Sequence, residues 1–225
     1  EIREQCRTQS SSRHGRDVIR AVNHMPELED TFQRAMQNIS RQCNELLPKY
    51  TDFSNFEAIV DVGGGNGSNL IQILESHSKA KGIVFESPSV CEIANKNILK
   101  HGMSERLKTH PGNCFADDFP GPCDCLVFCH FLTIWSLEQN EELLSKAYHH
   151  LPKEGAVIIF NMMQRNDEKG PLSSAMGSPY FLTIATGKGM LYKWKEYDAL
   201  LRKVGFSKIK MKKLPLDHGL IIGTK

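Results

Sequence analysis

Between residues 61 and 68 the chain reads Asp-Val-Gly-Gly-Gly-Asn-Gly-Ser. Glycine lacks a Cβ, so Gly63, Gly64 and Gly65, with Gly67 behind them, permit a sharp main-chain turn and let a ligand lie against the backbone itself. A side chain at Gly64 is expected to fill that space. Asp61 sets a carboxylate just ahead of the glycines. Glu86 follows 25 residues later, in Phe85-Glu86-Ser87-Pro88. A carboxylate there can accept hydrogen bonds from both hydroxyls of a ribose. A dinucleotide site needs Gly-x-Gly-x-x-Gly at such a turn. The sixth position is Ser68 counted from Gly63 and Leu70 counted from Gly65, so a nicotinamide dehydrogenase is disfavoured. No His or carboxylate cluster has metal-ligand spacing, Asp117-Asp118 reads as a turn, and no metal is expected.

These groups need a frame. Ala58–Val62 is a short apolar run ending in the glycines, and a helix begins at Asn69–Leu74. Strand and helix then alternate: Gly82–Phe85, Ser89–Lys100, Leu107–His110, the wholly apolar Cys125–Cys129, Glu138–Leu151 and Ala156–Phe160. No element is assigned between Phe160 and a helix at Trp194–Val204, which Gly205 stops. Strands Lys208–Leu214 and Gly219–Gly223 close the chain. Fully apolar strands alternating with helices predict a parallel sheet covered on both faces. The closing pair has only a short connection and must be antiparallel. Upstream, Leu28, Phe32, Ala35, Met36, Ile39, Cys43, Leu46 and Leu47 form one helical stripe that begins near Pro26 and ends at Pro48. The chain divides into a helical segment, 1–50, and a core, 51–225.

A formal net charge of +2 gives no electrostatic case for nucleic acid or an anionic membrane. Lys208, Lys210, Lys212 and Lys213 read as the wet face of a strand. No apolar run approaches the roughly 20 residues that span a bilayer, and the first residues lack a signal-peptide core. Seven cysteines, an odd number without a Cys-x-x-Cys pair, read as reduced thiols of a cytoplasmic protein.

Taken in order, these segments resemble the plant-type small-molecule O-methyltransferase family, which includes the caffeic acid, flavonoid and acetylserotonin enzymes and bacterial secondary-metabolite enzymes. Met25-Pro26-Glu27-Leu28, with Phe32 and Ala35-Met36, is similar to the family's helix ahead of its glycine loop. Asp61 to Gly67 matches the pattern of an acid, x, Gly, x, Gly. Phe85 to Val90 resembles Asp-Leu-Pro-x-Val. Gly112-Asn113-Cys114-Phe115 resembles Gly-Asp-Met-Phe, Phe131 to Ser136 resembles Val-Leu-His-Asp-Trp-Ser, and the ending from Leu214 also matches. The resemblance implies a Rossmann-like α/β fold: a seven-stranded methyltransferase sheet, mostly parallel, with an antiparallel C-terminal hairpin. It implies S-adenosyl-L-methionine as cofactor and O-methylation of a small molecule by direct displacement. Asp61 would hold the charged amino-acid end, Gly63, Gly64 and Gly65 would line the cradle, and Glu86 would take the ribose. Asn113 and Cys114 would flank the adenine, and Cys129, which stands where many members have Lys, would help bind the cofactor, partly through its backbone. Met36, Tyr180 and Tyr192 would face the substrate. The family's dimerisation region has no counterpart here, so a monomer is expected, acting on a free small molecule or, as an assembly-line domain, on a carrier-bound intermediate.

The departures from the family concern catalysis. Its general base corresponds to Thr133 and the next Asp to Ile134. Its two supporting Glu positions correspond to Asn161 and, approximately, Gly189. Thr133 cannot accept a proton near neutral pH, and a positioned base is typically worth about 10²–10⁴ in rate. The expected acceptor therefore ionises easily, or is a carbon or nitrogen nucleophile. His130 is the reserve base, with a pH profile in the histidine range if it acts. A degenerate cofactor-binding module is the remaining alternative.

Overall fold

A computed structural model describes residues 43–183 and 186–225. The elements are α1 (Leu46–Tyr50), β1 (Ala58–Val62), α2 (Ser68–Ser76), β2 (Lys81–Glu86), α3 (Pro88–Lys100), β3 (Leu107–Pro111) and β4 (Cys125–Cys129). A 3₁₀ turn at Leu132–Ile134 precedes α4 (Leu137–His150), β5 (Ala156–Met162), α5 (Leu172–Thr183), α6 (Trp194–Val204), β6 (Lys208–Lys213) and β7 (His218–Thr224). The strands form one seven-stranded sheet in the order β3-β2-β1-β4-β5-β7-β6. β3, β2, β1, β4 and β5 run parallel. β7 enters antiparallel to both β5 and β6.

Alternation along the strands builds two cores. Val60, Val62, Leu126, Phe128, Val157 and Ile159 face Leu143, Leu144, Tyr197 and Leu201 of α4 and α6. Ile59, Val84, Cys125, Val127, Ile158 and Phe160 face Leu47, Leu70, Leu74, Ala94 and Ile98 of α1, α2 and α3. Central strands buried on both sides have no polar face, which is why β4 reads Cys-Leu-Val-Phe-Cys. Local signals fix the ends. Pro88 opens α3, Ser136 and Gln139 close a capping box on α4, and Gly205 ends α6 in the left-handed region. The lysine-rich β6 is the outermost strand, where exposed lysines discourage edge-to-edge pairing.

Of the helical stripe, residues 43–44 and α1 are helical, with Glu45 between them in the right-handed helical region, and Pro48 sits in the first turn of α1, where its missing N–H is harmless. The segment without an assigned element contains α5, which carries Pro179 inside it. The stripe from Leu28 to Ile39 lies outside the described residues. Cys43, Cys91, Cys114, Cys123, Cys125 and Cys129 are free thiols, and no helix among the described residues is long and apolar enough to cross a membrane.

Candidate active site

The carboxyl ends of β1, β2 and β3 are stitched together by main-chain bonds. Gly63 N donates to Phe85 O at 2.9 Å and Gly112 N to Glu86 O at 2.8 Å. Asp61, the glycine loop, Glu86 and Asn113 are thereby brought to one edge, where ligands of parallel α/β sheets bind. Gly63 holds φ 69°, a conformation that disfavours any side chain, and the Phe131 ring lies against it. Phe131 continues into an aromatic run, with Trp135 at 5.8 Å and Phe115 a further 4.8 Å on, centroid to centroid. The loop is also pinned from α3, where Asn97 Nδ2 donates to Asn66 O at 3.0 Å. A Cβ on Gly64 would stand 2.8 Å from the Asp61 carboxyl. A side chain there therefore meets Asp61 first.

Asp61 is fully buried. Its Oδ2 accepts from Asn69 Nδ2 at 3.4 Å, and its Oδ1 has no partner. Burial pushes its carboxyl up to about 7, against the Asn69 hydrogen bond and with a smaller push from Glu86. A buried carboxylate with one bare oxygen invites a cation. Glu86 is half-buried, and its Oε2 accepts from Ser87 N at 2.7 Å. Asn113 is exposed; its Oδ1 accepts from Phe115 N at 3.0 Å, and its own N donates to Asp117 Oδ2 at 2.7 Å, so it shapes the loop in which it stands. Lys146 of α4 secures the same loop, donating to Cys114 O at 3.0 Å and to Asp117 O. The half-buried Cys114 thiol is pushed up to about 12 by burial, with Glu86 adding to the shift. Cys129 is buried among the core residues, its thiol raised well above the ordinary range by burial.

The catalytic candidates follow β4. His130 N donates to Phe160 O at 2.8 Å, and its φ of 54° turns the ring onto Phe160. Its Nε2 has no partner. Burial, and then His218, lower the imidazole to about 3. The expected break in the histidine range therefore moves well below neutral, and the His130 ring is neutral at physiological pH. Thr133 is 1% exposed, and its Oγ1 donates to His130 O at 3.1 Å. The turn that carries Thr133 is clamped by the 186–192 segment. Thr186 Oγ1 donates to Ile134 O, and Tyr192 Oη donates to Trp135 O at 2.6 Å. Gly189 packs so closely that a Cβ would meet the Thr133 carbonyl and stand 2.5–2.6 Å from Ile134 main-chain atoms. Asn161, fully buried, donates from Nδ2 to Tyr197 Oη at 2.9 Å. Thr133, Ile134 and Gly189, which stand where the resemblance puts members of the family's acid–base set, are here joined in a main-chain clamp.

Tyr192, expected at the substrate, is 2% exposed and committed to that clamp. Tyr180 is partly buried in α5, its ring 5.1 Å from Phe181. Met36 lies outside the described residues. Sequence reasoning missed Phe131, Asn97, Lys146 and His218. Only Asn97 carried a signal, as a polar residue in α3, the helix packed against β2 and β3.

Glu86→Ala is expected to weaken cofactor binding by roughly 1–3 kcal/mol through lost charge-assisted hydrogen bonds. Calorimetry with S-adenosylhomocysteine reads this directly. An unchanged affinity would take Glu86 out of the site.

The family model described as an O-methyltransferase domain matches residues 2–207. An L-tyrosine C(3)-methyltransferase from Streptomyces lavendulae is 34% identical over 215 residues, covering 94% of this chain and 59% of its own length. The apo structure of the S-adenosylmethionine-dependent methyltransferase SibL superposes with a TM-score of 0.81 at 32% identity, covering 96% of this chain and 63% of that one. Human N-acetylserotonin methyltransferase in complex with S-adenosylmethionine shares the fold, with a TM-score of 0.85 at 22% identity, over 93% of this chain and 59% of that one. The chain thus spans about six tenths of the length of these relatives.

Proposed function

The chain belongs to the O-methyltransferase domain family, and on that premise we propose that it binds S-adenosylmethionine at the carboxyl edge of β1–β3 and methylates a small phenolic molecule, at a ring carbon beside the hydroxyl. The observation that carries the cofactor reading is Asp61: a buried carboxylate with a bare Oδ1, set directly ahead of the glycine turn. The residues fit the group. Asp61 would hold its ammonium, Glu86 its ribose hydroxyls and the Asn113–Cys114 loop its adenine. When bound, S-adenosylmethionine supplies an electrophilic methyl on a sulfonium centre, activated without help from the protein. The chain is left to orient the acceptor, exclude water and manage one proton.

Two observations favour a ring carbon over an unactivated alcohol oxygen. Thr133 has its hydroxyl turned to a carbonyl and offers no base, and the tyrosine methyltransferase relative is named for methylation at C3. A phenol shares its electrons with the ortho carbon once its O–H is engaged by an acceptor, and the neutral His130 ring keeps its Nε2 without a partner. The proton finally leaves to solvent.

Incubation with S-adenosylmethionine and L-tyrosine, read by mass spectrometry and proton NMR, tests this. Methylated product should have lost one aromatic proton. Thr133→Ala should cost less than about tenfold in rate, and His130→Ala about 10² or more. A methyl ether as the sole product would move the acceptor to oxygen. Binding of NAD without S-adenosylhomocysteine would end the methyltransferase reading.

A further inference from the structure

His130 and His218 lie ring to ring at the end of β4 and the start of β7, with centroids 5.1 Å apart and planes at 78°. Both pack on Phe160, His130 edge-on and His218 stacked, each at 5.1 Å. His218 is 3% exposed. Its Nδ1 faces the Leu216 carbonyl at 2.6 Å. In the neutral ring that bond places the hydrogen on Nδ1 and leaves Nε2 as a bare lone pair. Neither that Nε2 nor the Nε2 of His130 has a partner.

A buried polar nitrogen left unpaired costs about 1–3 kcal/mol, and here two occur in one aromatic cluster. Strain adds to this. His130, Leu216 and Asp217 hold φ of 54°, 57° and 57°, a left-handed conformation that costs a non-glycine residue of order 1–3 kcal/mol. Apolar rings would serve packing alone at less expense. Burial lowers both imidazoles, and Asp217, beside His218, opposes that shift only in part. Two neutral ring nitrogens therefore stand ready for a hydroxyl. His130 precedes Phe131, which lies on Gly63 of the cradle; the residue is partly exposed, while both Nε2 atoms are covered.

We propose that the acceptor's hydroxyl seats between the His130 and His218 rings, giving its single hydrogen to the fixed lone pair of His218 Nε2 while His130, whose tautomer no hydrogen bond fixes, meets the oxygen from Nε2–H, so that the site selects phenols over the same ring without oxygen. This rests on the methyl-transfer reading above.

Calorimetry on the protein saturated with S-adenosylhomocysteine, titrated with L-tyrosine and with L-phenylalanine, tests it. Tyrosine should bind about 10²-fold more tightly or better, as expected where a site hydrogen-bonds a hydroxyl. His218→Asn keeps an amide N–H for the Leu216 carbonyl and removes Nε2. It should hold S-adenosylhomocysteine as the wild type does, shrink the preference below about threefold, and raise KM for tyrosine more than it lowers kcat. His218→Gln, which returns an acceptor near Nε2, should restore part of the preference. Full preference in His218→Asn, no preference in the wild type, or failure of both amino acids to bind the loaded protein overturns the inference. Failure of the wild type to bind S-adenosylhomocysteine overturns the reading beneath it as well.

Discussion

Asp61→Asn is expected to weaken S-adenosylhomocysteine binding about 10²–10³-fold while making the free protein more stable. The binding loss follows from removing the charge that faces the ligand's ammonium, since breaking a buried pair costs about 3–5 kcal/mol. The stability gain has the opposite origin. Burial raises this carboxyl from 3.8 to about 7. Between those values the native state holds a proton that the unfolded chain has released. Native stability therefore falls as pH rises across that window, and the full penalty, on the order of a few kcal/mol, is present above about pH 7. Asparagine carries no such charge. Its advantage should be plain in urea melts at about pH 8 and vanish by about pH 4. Cofactor binding adds a second signature: the ammonium selects the ionised form, so wild-type affinity should weaken below about pH 7 by up to tenfold per unit. The variant should show no such slope. An unchanged dissociation constant, or a variant less stable at alkaline pH, would remove Asp61 from this role.

Gly189→Glu, which restores the residue expected from the family at that position, should destabilise the protein by about 3 kcal/mol or more. The new Cβ would meet the Thr133 and Ile134 main chain, and a backbone cannot swing aside as a flexible side chain can. For a domain of this size the melting temperature should drop by roughly 6–12 °C. Adding Thr133→His should not create an O-methyltransferase, because the turn that would aim the imidazole has been pushed from its clamp. A stable double variant that gains ether-forming activity would show that the clamp is incidental.

Much of the frame was legible because it rests on local periodicity. β1, β4 and α6 announce themselves by an apolar run before glycines, an unbroken apolar run, and a helical stripe closed by Gly205. α5 did not, since Gly177 and Pro179 punctuate it like a loop and Leu172, Met176 and Leu182 face outward. That Asp61 and Glu86 fall at neighbouring strand ends was legible because the turn that follows β1 and the end of β2 are set by sequence neighbours. The resemblance that marked Thr133, Asn161 and Gly189 as departures could not say what replaces the missing groups. That answer lies in contacts between distant segments, Thr186 with Ile134 and His130 with His218, which no spacing records. Tyr192 illustrates the limit: its type suited a substrate contact, yet its hydroxyl is used to hold Trp135.

The strand order reverses between β1 and β4. The groups proposed for the cofactor stand on one continuous stretch of chain, 61–114. His130, Thr133 and His218, proposed at the acceptor, come later. Heritable change can therefore accumulate in the later stretch, and blocks can be exchanged there by recombination, while the cradle stays intact. A lineage built on this layout can try new acceptors without relearning how to hold its methyl donor.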